Sequence, residues 1–213
     1  MDTPRIELTA DGLGQQFGRL VLFRDMAFTL REGASVAITG SNGSGKSTLL
    51  RILLGLLTPT VGEVTLQLDG APVERAERPQ QMGLVAPYLG VYDALSAAEN
   101  LAFLARARRL PEAEARIEEV LAQVGLANRA DDAVGTYSSG MRQRVKVAAA
   151  LLHRPPVLLL DEPSTNLDAP GRAMIEAVQH EHLSRGGLLV VATNHATEAE
   201  GRDRVIDIGA FSA

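Results

Sequence analysis

The sequence predicts an α/β fold built on a mainly parallel sheet. Short apolar runs alternate with helix-periodic stretches along its 213 residues, the pattern of strand–helix–strand units. A glycine-rich segment joins one apolar run to a helical stretch. A second apolar run ends in paired carboxylates, at the strand end where parallel sheets gather their ligands.

Taken in order, residues 5–9, 26–30 and 63–68 alternate apolar with polar side chains and read as half-exposed strands, an N-terminal antiparallel portion. Gly12 to Gly18 and Gly33 are turn signals. Residues 35–39, 83–86, 157–160 and 188–192 are brief, apolar and rich in β-branched residues or Leu, as buried strands are. Residues 46–56 open a helix after the glycine-rich segment. Residues 111–124 place Ile117, Val120, Leu121 and Val124 on one helical face, and residues 139–152 do the same with Met141, Val145, Ala148 and Leu152. Residues 169–184 follow Asp168, a good N-cap. Residues 71–81, with Pro72 and Pro79, read as the most linker-like stretch. The expected organisation is one domain over 1–213, with an α/β core of 1–87 and 153–213 and a helical subdomain of 88–152.

Composition narrows the function. Hydrophobic residues at 46% and charged residues at 22% suit a chain that buries a core, so disorder is excluded. With no Cys, disulfides and thiolate metal sites are excluded. A net charge of −5 opposes a nucleic-acid coat, yet leaves room for a small polyanion held by a local field. Asp2 and Glu7 break any signal-peptide pattern, and no run approaches the ~20 apolar residues of a membrane span. The expectation is a cytoplasmic protein that works at a membrane only through another chain. Among 21 basic residues only Lys46 and Lys146 are lysines.

Lys46 stands in Gly40-Ser41-Asn42-Gly43-Ser44-Gly45-Lys46-Ser47, which matches G-x-x-x-x-G-K-[ST] in its required strand–loop–helix context. Glycines let successive N–H groups curl inward onto phosphate oxygens, and the helix N-terminus adds its dipole. Lys46 can reach the β- and γ-phosphates, the Ser47 hydroxyl can bind Mg²⁺, and Thr48 continues the cradle. Farther on, the apolar run 157–160 ends in Asp161-Glu162. Asp161 is placed to support Mg²⁺, and Glu162 is the better candidate for a general base acting on water.

Tyr137-Ser138-Ser139-Gly140-Met141-Arg142-Gln143-Arg144 precedes that acidic strand. It resembles the signature segment of ABC-type ATPases, and the order of all parts agrees: phosphate loop, helical insertion, signature, acidic strand, then Asp168 and His195. The resemblance covers residues 6–209 and implies a nucleotide-binding subunit of an ABC transporter. It further implies ATP and Mg²⁺ as ligands, hydrolysis of ATP, and head-to-tail pairing of two subunits. Separate transmembrane permease subunits would be the partners, at the inner face of the plasma membrane, with no nucleic acid and no direct cargo contact. By the same resemblance Ser138, Ser139, Gly140 and Met141 face the ATP held by the other subunit, and Asp168, in the segment 164–168, links the two sites. His195 corresponds to the switch histidine, and Phe17 to the aromatic beneath the adenine ring; Phe17 as a core residue stays open. The style of the signature and the short length resemble exporters of the ABC-2 and heme-export types. A soluble ABC-type switch and a P-loop kinase of a small molecule are the alternatives. One departure stands out: the Gln usual before the helical insertion is missing, with Pro87 at or beside its place. Arg142, Arg144 and Lys146 read as a solvated helix face, and His153, His180 and His182 as packing or surface residues.

Overall fold

The computed structural model describes residues 5–165 and 167–212. Two sheets organise it. The first has four strands in the order β2-β1-β4-β5, all antiparallel: β1 (Ile6–Phe17), β2 (Leu20–Arg31), β4 (Val61–Leu68) and β5 (Ala71–Val73). The second is parallel, in the order β6-β7-β8-β3-β9: β3 (Ser35–Thr39), β6 (Met82–Val85), β7 (Val157–Asp161), β8 (Leu188–Ala192) and β9 (Arg204–Asp207). The helices are α1 (Lys46–Leu53), α2 (Arg78–Gln81), α3 (Ala97–Ala107), α4 (Ala113–Gln123), α5 (Ser139–Leu151), α6 (Ala169–Ser184) and α7 (Ala196–Ala199).

The parallel strands β7 and β8 are buried at every position, which is why their sequence is continuously apolar instead of alternating. Their side chains split between two cores. Leu159, Val190 and Ala192 join α1 and the antiparallel sheet, whereas Leu158, Leu160, Leu189 and Val191 join α3, α4, α5 and α6. The helical insertion between β6 and β7 thus shares one continuous core with a face of the parallel sheet.

Helix starts follow local chemistry. Ser96 and Glu99 form a reciprocal capping box at α3, with Glu99 N–H donating to Ser96 Oγ at 3.1 Å and Ser96 N–H to Glu99 Oε2 at 2.8 Å. Ser138 Oγ accepts from Met141 N–H at 3.2 Å to cap α5, and Asp168 Oδ1 accepts from Gly171 N–H at 2.8 Å to cap α6.

Several expectations are corrected. Gly12 is not a turn between elements: β1 runs through to Phe17, absorbing register shifts between Ala10 and Gln16, and only Gly18 and Arg19 form a turn. Residues 71–81 are not a linker, since β5 and α2 occupy its ends. The first helix stops at Leu53, short of residue 56, because Gly55 turns the chain with a positive φ of 87°. The strand β9, a partner of β3, had no sequence expectation at all. Arg142, Arg144 and Lys146 do not form a solvated face; each is half-buried and donates to a loop carbonyl, of Gly135, Val124 and Pro87 respectively. Asn166, within the segment 164–168, lies outside the described residues. Among the described residues no helix is long and apolar enough to cross a membrane.

Candidate functional site

The site lies at the carboxyl ends of β3, β7 and β8. The chain leaves β3 into the segment from Gly40 to Gly45, whose three glycines have φ values of 145° (Gly40), 82° (Gly43) and 105° (Gly45). Side chains rarely adopt those angles. Space is short at two of them: a Cβ on Gly40 would stand 2.6 Å from Ile208 Cγ2, and one on Gly45 would make a tight contact at 3.2 Å from Leu22 Cβ. The loop wraps back onto Lys46, which is only 6% exposed and donates from Nζ to the carbonyls of Gly40 at 2.8 Å and Ser41 at 3.2 Å. Its ammonium also stands 3.7 Å from Glu162 Oε1.

β7 delivers the two carboxylates in different settings. Asp161, its last residue, is 1% exposed, and neither carboxylate oxygen has a well-formed hydrogen bond. Burial pushes its carboxyl above the usual range, while the Ser47 hydroxyl and then the charges of Lys46 and Arg51 pull it back. An orphaned buried carboxylate beside a hydroxyl is a hard-oxygen donor pair that suits a divalent cation such as Mg²⁺. Among the described residues no group of three or more His, Asp and Glu could hold a metal alone. Such an ion would therefore complete its shell with phosphate oxygens or water. Glu162 is half-buried and takes a left-handed φ of 48°, uncommon for a side-chain-bearing residue, with its N–H tied to the Ala192 carbonyl at 2.8 Å. Burial raises its carboxyl, Lys46 lowers it, and Glu198 raises it again. A carboxyl so raised is a stronger base than one in water.

Leu22, Asn42, Ser47, Thr48, Asp161 and Glu162 surround a cavity of about 320 Å³ with the loop glycines. After β8, Asn194 donates from Nδ2 to Asn42 Oδ1 at 3.2 Å and so ties the His195 segment to the phosphate loop. His195 is exposed at the start of α7, its N–H held by Thr193 Oγ1 at 3.0 Å. Phe17 is 51% exposed at the end of β1, outside the core. Ser138, Ser139, Gly140 and Met141 form the N-terminus of α5, capped by Ser138, with both serines exposed, and Asp168 is exposed at the start of α6. The geometry thus brings Lys46, Ser47, Asp161 and Glu162 around one cavity, with His195 nearby; Ser138, Ser139 and Asp168 are exposed elsewhere, and Gly140 and Met141 are half-buried. Sequence reasoning missed Asn194, Arg51 and Tyr88 because none belongs to a motif. Arg51 lies over the Tyr88 ring, 4.1 Å from its centroid.

Comparison with known proteins agrees with this geometry. Residues 23–165 match the family described as ABC transporter. The cytochrome c biogenesis ATP-binding export protein CcmA of Pseudomonas putida (strain GB-1) is 36% identical over 213 residues, covering 98% of this chain and 99% of its own. The linearmycin resistance ATP-binding protein LnrL of Bacillus subtilis is 34% identical over 194 residues, covering 90% of this chain; the match spans 62% of the length of LnrL. A solved ATP-binding subunit of an ABC transporter superimposes with a TM-score of 0.82 at 27% identity, over 95% of this chain and 86% of that one. With the phosphate loop, the paired carboxylates and the helical insertion in one order and one geometry, the chain belongs to the ABC transporter family as a nucleotide-binding ATPase domain.

Proposed function

We propose that this chain is the ATP-hydrolysing subunit of an exporter, a single domain over 1–213 with a core of 1–87 and 153–213 and a helical subdomain of 88–152. Separate membrane-spanning subunits would be its partners, at the cytoplasmic face of the membrane. The convergence of Lys46, Ser47, Asp161 and Glu162 on one cavity carries the ATPase reading. Export is supported by the names of the relatives CcmA and LnrL.

In this reading the N–H groups of residues 41–47 receive the ATP phosphates, and Lys46 exchanges the Gly40 and Ser41 carbonyls for β- and γ-phosphate oxygens. Lys46 then also leaves Glu162, which frees that carboxylate to accept a proton from the attacking water. Ser47 and Asp161 would hold Mg²⁺, which when bound neutralises phosphate charge. His195 holds the γ-phosphate side, Phe17 stacks on adenine, and the bond from the β–γ bridging oxygen to the γ-phosphorus breaks as water adds, giving ADP and phosphate. Ser138, Ser139, Gly140 and Met141 of a second copy would close the site from outside, donating from an exposed helix N-terminus. Asp168 would join the two sites of the pair. Lys46→Ala tests the assignment: loss of nucleotide binding and turnover is expected, and near-normal ATPase in that variant refutes it.

A further inference from the structure

Glu162 holds a backbone conformation that its own residue type and its neighbour both oppose. Its φ of 48° lies in the left-handed region, which side-chain-bearing residues rarely enter. The next residue is Pro163, whose ring biases the residue before it toward extended conformations. Such a backbone persists only where the surroundings over-determine it. Three hydrogen bonds do so. Glu162 N–H donates to the Ala192 carbonyl at 2.8 Å, and Thr165 N–H donates to the Glu162 carbonyl at 3.2 Å. The third comes from a side chain: Gln143, buried on α5, donates from Nε2 to the Pro163 carbonyl at 3.3 Å. Pro163 has no N–H, so that carbonyl is its only backbone hydrogen-bonding group.

The carboxylate itself is not packed in place. Glu162 borders the cavity beside the phosphate loop and also a second cavity of about 400 Å³, which Gln143, Ser139 and Thr165 line with it. Its ion-pair partner is Lys46, 3.7 Å from Oε1. In the proposed reaction Lys46 turns to phosphate oxygens, and the aim of the carboxylate then rests on its backbone.

We infer that Gln143 is a positioning residue for hydrolysis: by holding the Pro163 carbonyl it keeps Glu162 in the left-handed conformation that aims its carboxylate at the attacking water. This rests on the base role proposed for Glu162 above. Gln143 stands outside the cavity that Lys46, Ser47 and Asp161 surround, so its loss acts on turnover and not on nucleotide binding.

Gln143→Met, which keeps the length and loses the donor, tests it by steady-state ATPase, Mg-ATP binding and residue-resolved amide exchange. A fall in kcat of about tenfold or more is expected, with KM and Kd for Mg-ATP within about twofold of the parent. Exchange at Glu162 and Thr165 should quicken about tenfold, while Val157–Asp161 stays as in the parent. In a Glu162→Gln background the same substitution should lower residual turnover by less than about twofold, because it acts only through Glu162. A general loss of packing would lower turnover in both backgrounds alike. Where Gln143→Met fails to fold, Gln143→Asn, which keeps an amide one methylene short of Pro163, makes the same test. Unchanged exchange at Glu162 and Thr165 overturns the inference, as does parental kcat or a tenfold fall that persists in the Glu162→Gln background. Turnover by Glu162→Gln alone within tenfold of the parent removes the base assignment instead.

Discussion

Asp161→Asn should make the nucleotide-free protein more stable and the nucleotide-bound protein less so. Asp161 is 1% exposed and both its carboxylate oxygens lack good hydrogen bonds, so the folded chain carries a desolvated anion it cannot satisfy. An unsatisfied buried polar group costs about 1–3 kcal/mol, and more when charged. The Ser47 hydroxyl and the attraction of Lys46 and Arg51 limit that cost. A gain of about 2 kcal/mol from the neutral amide is therefore expected, which for a chain of this length raises Tm by about 4–8 °C. The reverse holds with ligand. Mg-ATP at about 100 times Kd stabilises the parent by about 2.7 kcal/mol, or roughly 5–11 °C, and the variant by far less, because its amide is a poorer cation ligand. Calorimetry in a chelator and then with Mg-ATP reads both effects. If Asp161→Asn melts at or below the parent in the chelator, the carboxylate is not frustrated and the argument for a cation there fails.

Glu162→Gln should keep ATP binding but slow hydrolysis by 10² or more, about the contribution of a general base; it should also accumulate an ATP-bound pair on size exclusion, and turnover within tenfold of the parent would remove Glu162 from the base role. His153 supplies a pH dependence. Burial first, then Arg108, lowers its pKa from 6.5 to about 4. The unfolded chain thus binds a proton that the folded chain refuses, so stability is complete above pH 6.5 and is lost as pH falls toward 4, by about 3 kcal/mol in all. His182 shifts in the same direction through burial. The comparison is therefore made against His153→Asn: urea midpoints at pH 7 and pH 5 should show about 2 kcal/mol less acid loss in that variant, and equal losses would contradict the shift. Gly83→Ala places a Cβ 2.5 Å from the Ala150 carbonyl oxygen and 3.0 Å from Pro155 Cγ, so α5 must back away from β6. A loss of about 1–3 kcal/mol is expected by denaturant titration, and a neutral result would mean that α5 sits more loosely on the sheet than described.

The parallel strands were legible because complete burial removes alternation: residues 157–160 and 188–192 could hardly be anything else. The phosphate loop was legible because its geometry demands glycine at particular places. The antiparallel strands β1 and β2 ran longer than their patterns suggested, because bulges around Gly12 and Gly14 break the period of two without ending the pairing. The strand β9 was hidden because Arg204 to Asp207 is short and polar at its edge position, where one neighbour suffices. Cations were misjudged for a related reason. Charge on a helix surface looks solvated in sequence, yet Arg142, Arg144 and Lys146 find carbonyls 7, 20 and 59 residues away, outside their own helix, which no periodicity encodes.

The two lysines, each bonded to a backbone carbonyl, make this protein unusually simple to interrogate chemically. An amine-reactive acylating reagent has two ε-amino targets in the whole sequence beside a chain's terminal amine, and peptide masses tell the three apart. One reports whether the phosphate cradle is open, the other whether α5 keeps its bond to the Pro87 carbonyl. With no native thiol to compete, a single introduced cysteine could carry a dye at any chosen point. The same molecule can then be read at two lysines and one thiol without removing any native nucleophile.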